Sequence, residues 1–141
     1  MAIDATVTWK HDSAFEGVGS STGFKVAMGG KPEPGVAPIG ASPMELLLLG
    51  TAGCTAMDVI SILQKKRQDV TAFEIRTHAE RASQHPMVFT HITLEYVVSG
   101  HNIDPESVQR AIDLSLEKYC GAHAMMSKAV PIEHKFTIIQ V

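Results

Sequence analysis

The sequence predicts an α+β domain, and two observations support this class. Several stretches alternate apolar and polar residues with the period of two that is typical of half-buried strands. Between them lie segments whose apolar residues recur at helical spacing and which begin with helix-capping residues. The predicted order is ββ-α-ββ-α-α-β. A chain of 141 residues is the size of one ordinary domain, so we expect a single domain over residues 1–141.

Two short strands are expected near the N-terminus. The segment from Ile3 to Lys10 alternates between apolar and polar residues, and the segment from Phe24 to Met28 is bounded by glycines that can supply turns. We expect these two strands to form a hairpin. The segment from Lys31 to Ala41 contains three prolines, which lack the amide donors that an interior strand or helix needs. It is therefore predicted to be a loop.

A long helix is predicted after this loop. The residues Ser42 to Glu45 form a capping-box sequence with proline at the first helical position, and apolar residues continue to Leu63. The uncharged stretch from Leu46 to Met57 is shorter than the roughly 20 residues that span a bilayer as a helix. We therefore predict the central, buried helix of the domain and no membrane association. Gly50 and Gly53 within it would allow another backbone to approach closely.

The second half of the chain supplies the remaining elements. Two alternating strands are joined by a turn that contains Pro86, and a second helix begins at the cap Asp104. Gly121 is expected to interrupt this helix before a third, short one. The predicted ranges are Thr71 to Ser83, Val88 to Val98, a helix from Asp104, a helix from Ala122 to Ala129 and a strand from Ile132 to Ile138.

Composition excludes several classes of function. The net charge is −3 and no stretch interleaves basic with aromatic residues, so nucleic acid is not an expected partner. The acidic, alternating N-terminal segment lacks the features of a secretory signal, and we expect a cytoplasmic protein. The seven histidines are scattered without metal-ligand spacing, and no glycine-rich phosphate loop opens a helix. We therefore expect neither a metal nor a cofactor.

Two cysteines are the candidate reactive groups. Cys54 lies in the middle of the long apolar helix with Asp58 one turn later, a setting that favours an inert, protonated thiol. Cys120 lies where one helix ends and the next begins, so free amides could lower the pKa of its thiol. His123 follows at a spacing from which it could hold a proton for Cys120. Local physics thus predicts that Cys120 is the thiol that is easier to activate.

Four motifs carry a resemblance to a known family. They are Ser-Pro-Met-Glu-Leu at 42–46, Gly-Cys-Thr-Ala-Met-Asp-Val at 53–59, Glu-Lys-Tyr-Cys at 117–120 and Ser-Lys-Ala-Val-Pro at 127–131. In these motifs the chain resembles the OsmC/Ohr family, and within it the YhfA-like branch. The resemblance implies an intertwined homodimer with long helices packed on antiparallel sheets. It also implies that Cys54 attacks an organic hydroperoxide in oxidative stress defence, that Cys120 resolves the product as a disulfide, and that a dithiol reduces it.

The sequence departs from the peroxide reductases of that family at the groups that activate the thiol. The first arginine of the chain is Arg67, after Cys54, and Met44 stands where those proteins carry a supporting glutamate. Glu45 is one residue later, about 100° away around the helix. Supporting roles are therefore expected for Glu45, Lys10 and His123, or for a residue of the second subunit. The alternative is a non-catalytic dimer that binds a small apolar ligand.

Overall fold

The computed structural model describes all residues from 1 to 141, and the chain divides into two compact units, Met1–Leu47 and Leu48–Val141. Six strands form two separate three-stranded sheets, and three α-helices accompany them. The predicted α+β class is confirmed. The prediction of one domain for the whole chain stays a prediction, and each unit is described by itself below.

The first unit contains an antiparallel sheet of three strands in chain order. They are β1 (Ala5–His11), β2 (Ala14–Gly19) and β3 (Lys25–Gly29). The sequence pattern predicted only β1 and β3 and paired them with each other, whereas β1 and β3 both pair with β2. The pattern hid β2 because two of its six residues are glycines. At Gly17 a Cβ atom would lie 2.9 Å from Cε of Met28, the flexible end of a side chain, so a larger residue there would require Met28 to shift.

The predicted loop and the predicted start of the long helix are both confirmed. Residues 30–40 contain no strand or helix, and α1 (Pro43–Lys65) follows them. The capping box is formed: the amide of Ser42 donates to Oε2 of Glu45 at 3.0 Å, and the amide of Glu45 donates to Oγ of Ser42 at 3.2 Å. Two of the otherwise free amides at the start of the helix are thereby satisfied.

The second unit contains a mixed sheet, where antiparallel pairing was predicted. Its strands are β4 (Asp69–Arg81), β5 (Phe89–His101) and β6 (Ile132–Gln140), with β5 in the centre. The first two are antiparallel as predicted, but β6 runs parallel to β5. The connection between β5 and β6 makes this possible, because it contains α2 (Pro105–Leu114), a π-helical turn (Ser115–Tyr119) and α3 (Gly121–Met126). A parallel pair needs a crossover of about this length.

The core of the second unit lies between one face of α1, the sheet and α2. Within the unit the buried positions of α1 recur every three or four residues, whereas Leu49 and Met57 are exposed. The helix is therefore buried on one side only, although its nearly uniform apolar sequence predicted a fully buried helix. By length and hydropathy α1 could cross a membrane, a test that core helices also pass. The buried apolar residues are Ala52, Val59, Leu63, Ile92, Leu94, Tyr96, Val98, Ile103, Val108, Ala111, Ile112 and Val130.

Candidate functional site

The two cysteines meet in the second unit. Cys54 lies halfway along α1 and is partly buried, whereas Cys120 is 3% exposed and caps the N-terminus of α3. Both are free thiols. Cys54 is close enough to Cys120 to influence the pKa of its thiol, both through a hydrogen bond and through charge. The fold thus brings together the two residues that the sequence singled out.

The electrostatics of Cys120 contradict the expectation from its local sequence. The amide of His123 donates to Sγ of Cys120 at 3.3 Å, so the predicted proximity to a free amide is confirmed. Burial nevertheless raises the pKa of the Cys120 thiol to about 11; the amide of His123 opposes this, and Cys54 and Asp58 add to it. Cys120 is therefore a protonated thiol at neutral pH. Its local sequence did not reveal the burial or the neighbouring acid that cause this.

Asp58 anchors a line of buried hydroxyl groups beside the cysteines. It follows Cys54 by one turn of α1, and its Oδ2 accepts a hydrogen bond from Oγ of Ser115 at 2.9 Å. Oγ of Ser115 also lies 2.8 Å from Oγ1 of Thr55, and both hydroxyl-bearing residues are fully buried. The π-helical turn of Ser115 ends at the residue before Cys120. The same short segment therefore positions Ser115 against Asp58 and Cys120 beside Cys54.

The line of polar groups continues across the sheet to two histidines. The hydroxyl oxygen of Tyr96 lies 3.4 Å from Oγ1 of Thr55 and 2.9 Å from Nδ1 of His134. Nε2 of His134 lies 3.3 Å from Nε2 of His123. Burial raises the pKa of Tyr96 to about 12. Burial also lowers the pKa of His134 to about 4, with His123 adding to the effect, and lowers that of His123. Both imidazoles are neutral at pH 7.

A cleft opens beside this site. It has a volume of about 300 Å³ and is lined by residues of α1 together with Leu114 and Tyr119. The α1 residues that line it include Asp58 and, near its end, Lys65. The carboxylate of Asp58 thus belongs both to the buried polar line and to a surface from which a small molecule could approach.

The other predicted supporting residues are placed differently. Glu45 and Lys10 belong to the first unit, where the carboxylate of Glu45 is engaged in the capping box and Lys10 is an exposed residue of β1. His123 reaches Cys120 through its main-chain amide, while its imidazole Nε2 faces His134. No group of three or more histidine, cysteine or acidic side chains is arranged to hold a metal ion.

Four residues of the site were not predicted from the sequence. Tyr96, Ser115 and His134 belong to none of the four motifs, and Thr55 lies in the motif at 53–59 but was given no role there. Each occupies a position where the periodic pattern of its helix or strand otherwise places apolar residues. A polar side chain at a core position must find a hydrogen-bond partner there. That rule was the signal in the sequence that could have found them.

The fold and the paired thiols together define the class: an α+β protein with two free cysteines in contact, one on a long helix and one at a helix cap. A family model for OsmC-like proteins matches residues 33–135. The chain is 42% identical over 137 residues to Protein YhfA of Escherichia coli strain K12, which covers 97% of this chain and 98% of that protein. The chain belongs to the OsmC-like family.

Solved structures agree with this family in fold. A hypothetical protein from Aquifex aeolicus VF5 is 26% identical, with a TM-score of 0.87 over 100% of this chain and 98% of that chain. An organic hydroperoxide resistance protein OsmC from Legionella pneumophila is 11% identical, with a TM-score of 0.70 over 97% of both chains. At that identity the likeness concerns the fold alone.

Proposed function

We propose that this OsmC-like protein is a thiol-dependent reductase of organic hydroperoxides. The observation that carries the proposal is the contact between two free thiols, of which Cys120 retains its proton at neutral pH. Structural neighbours described as organic hydroperoxide resistance proteins, from Legionella pneumophila and Bacillus subtilis, support a role of this kind. Cys54 is the attacking residue in this proposal because it is the more exposed of the two and lies on the helix that lines the cleft.

The proposed cycle uses the two thiols in order. The Cys54 thiolate attacks the outer oxygen of the hydroperoxide, the O–O bond breaks, and the alkoxide takes a proton and leaves as an alcohol. Cys54 is now a sulfenic acid. The sulfur of Cys120 then attacks the sulfur of Cys54, the S–O bond breaks, and water leaves as the disulfide forms. An external dithiol reduces the disulfide and is itself oxidised.

Activation of Cys54 in this proposal uses a hydrogen bond instead of an arginine. A protonated Cys120 can donate to the sulfur of Cys54, which stabilises negative charge there.

The exposed apolar residues on the second face of α1, Leu49 and Met57, are proposed to be covered by a second copy of the chain. In a homodimer of this kind, we propose that Lys10 of the second copy adds positive charge near Cys54. We propose the cytosol, with its reducing dithiols, as the location.

Mass spectrometry of three proteins tests the proposal. The reduced unmodified chain is mixed with one equivalent of cumene hydroperoxide, and we expect a loss of two hydrogens with a disulfide between Cys54 and Cys120. The Cys120→Ser variant should instead stop at a sulfenic acid on Cys54 that dimedone traps. Cys54→Ser is the matched control and should not react. Unmodified thiols in the first protein would refute the reductase.

A second candidate function is the binding of a small apolar ligand without chemistry. The first unit has a pocket of about 350 Å³ whose lining includes Val7, Phe15 and Met28. Such a volume and lining are typical of sites for small apolar molecules. Titration with a fluorescent fatty acid separates the two functions: saturable binding that Phe15→Asp abolishes, together with inert thiols, would favour the binder.

A further inference from the structure

A continuous line of six side chains leads from the cysteines to a pair of histidines. In order they are Asp58, Ser115, Thr55, Tyr96, His134 and His123, and the successive distances are 2.9, 2.8, 3.4, 2.9 and 3.3 Å. The members come from α1, the π-helical turn, β5, β6 and α3. The reductase chemistry of Cys54 and Cys120 does not by itself explain why so many polar groups are gathered in a core.

Donor and acceptor counting gives this line one direction. Oγ of Ser115 donates its proton to Oδ2 of Asp58. Oγ of Ser115 then accepts from the hydroxyl of Thr55. Because the single proton of Thr55 is used, its hydrogen bond with Tyr96 requires Tyr96 to donate. Every hydroxyl in the line therefore points towards Asp58.

The same counting fixes the tautomers of both histidines. With its proton directed to Thr55, the oxygen of Tyr96 must accept from Nδ1–H of His134. Nε2 of His134 is then an acceptor, and Nε2–H of His123 donates to it. Nδ1 of His123 is left with a lone pair, and this atom is buried without any hydrogen-bond partner. The lowered pKa values of both histidines agree with neutral rings.

We propose that these six residues form a proton relay that carries a proton from His123 to Asp58 when Cys120 attacks the oxidised Cys54. This inference rests on the proposed function and deepens it. His123 is on the helix that Cys120 caps, and its amide is 3.3 Å from the sulfur of Cys120. Asp58 is one turn from Cys54 and lines the cleft. One end of the proposed relay is therefore three residues from Cys120 in the sequence, and the other is four residues from Cys54 on α1.

The relay balances the second step of the cycle. As the S–S bond forms and the S–O bond breaks, Cys120 loses a proton and the departing hydroxide of Cys54 needs one. In the proposed step the thiol of Cys120 gives up its hydrogen bond to Cys54, and its proton passes to Nδ1 of His123, which has no partner in the resting protein. Each member then passes its own proton onward, Asp58 receives one from Ser115, and Asp58 gives that proton to the hydroxide to form water. A buried thiol with a pKa of about 11 needs such a base. No external acid or base is consumed.

Two isosteric changes interrupt the relay without charge changes. Tyr96→Phe and Thr55→Val each remove one hydroxyl, and Thr137→Val is the matched control because its hydroxyl bonds Glu95 outside the line, at 3.0 Å. After oxidation with cumene hydroperoxide, dimedone trapping follows the sulfenic acid and non-reducing gels follow the disulfide. We expect unchanged formation of the sulfenic acid and disulfide formation slowed by about tenfold or more in both relay variants.

The combination of variants distinguishes a relay from a merely structural role. In a single line the double variant should be no slower than either single variant. The pH profile of the disulfide step should also change in both single variants. The titratable groups that face the line are Cys54, Cys120, Lys65 and the relay members themselves. Equal rates in Tyr96→Phe, Thr137→Val and the unmodified protein would overturn the relay.

Nuclear magnetic resonance of the imidazole nitrogens tests the relay even where no hydroperoxide reacts. In the unmodified protein we expect the Nδ1–H tautomer for His134 and the Nε2–H tautomer for His123. The Nε2–H tautomer of His134 would overturn the direction of the relay.

Diamide can replace the hydroperoxide as oxidant, because its adduct on Cys54 is also resolved by attack of Cys120. Failure of the reductase and failure of the relay are thus separate outcomes.

Discussion

The raised pKa of Cys120 gives a quantitative prediction for its alkylation. A rise from 9.0 to about 11 means that at pH 8 the thiolate fraction is about a hundredfold lower than that of an ordinary thiol. Because only the thiolate reacts with iodoacetamide, the rate at Cys120 should keep rising tenfold per pH unit through pH 10. Peptide mapping by mass spectrometry after timed labelling from pH 7 to pH 11.5 measures this profile.

Two variants separate electrostatics from simple shielding. Asp58→Asn and Cys54→Ala each remove a contribution that raises the pKa of Cys120, so both should move the midpoint of the profile to lower pH. Shielding alone would slow labelling at every pH without moving the midpoint. Circular dichroism at each pH confirms that the protein remains folded. A midpoint at or below pH 9 in the unmodified protein would refute the reasoning.

Three further predictions concern stability, each measured by urea denaturation. Leu63→Ala should lower the free energy of unfolding by about 2–5 kcal/mol, because Leu63 is fully buried in the core of the second unit; a loss below about 1 kcal/mol would contradict that packing. Gly100→Ala should be strongly destabilising, because the new Cβ would overlap the main-chain oxygen of Asp69. Gly121→Ala should be tolerated, because its Cβ would meet no atom within 4 Å. Equal losses of stability in the two variants would contradict this contrast. The folded state holds the pKa of His134 down at about 4, so the free energy of unfolding should fall as the pH drops from about 6.5 to 4. His134→Gln should flatten this pH dependence. An unchanged slope in the variant would contradict the prediction.

Some predictions from the sequence were correct because they depend on neighbouring residues alone. The capping box at Ser42 to Glu45 and the cap at Asp104 are local hydrogen bonds, and the structure contains both. Strand β2 was missed because its glycines imitate a turn pattern. The parallel pairing of β6 was missed because register between strands depends on the path of the whole chain between them, which periodicity does not encode.

The two cysteines show where local reasoning ends. Their positions, mid-helix for Cys54 and helix cap for Cys120, were evident from the sequence, and both are confirmed. Their order of reactivity was not evident. Cap geometry alone favoured a lowered pKa for Cys120, but burial and two groups from α1 raise the pKa instead. Desolvation acts through every atom packed around a group, and most of those atoms are distant in the sequence.

The sequence by itself determined the fold class, the long helix and its cap, and the two thiols, because caps and hydrophobic periodicity are properties of short segments. Only the tertiary structure decided which groups surround those thiols. Asp58, Ser115, Tyr96 and His134 come from four different elements, and no spacing in the chain relates them. Their hydrogen bonds exist because the core excludes water and each buried polar group must find its partner within the protein.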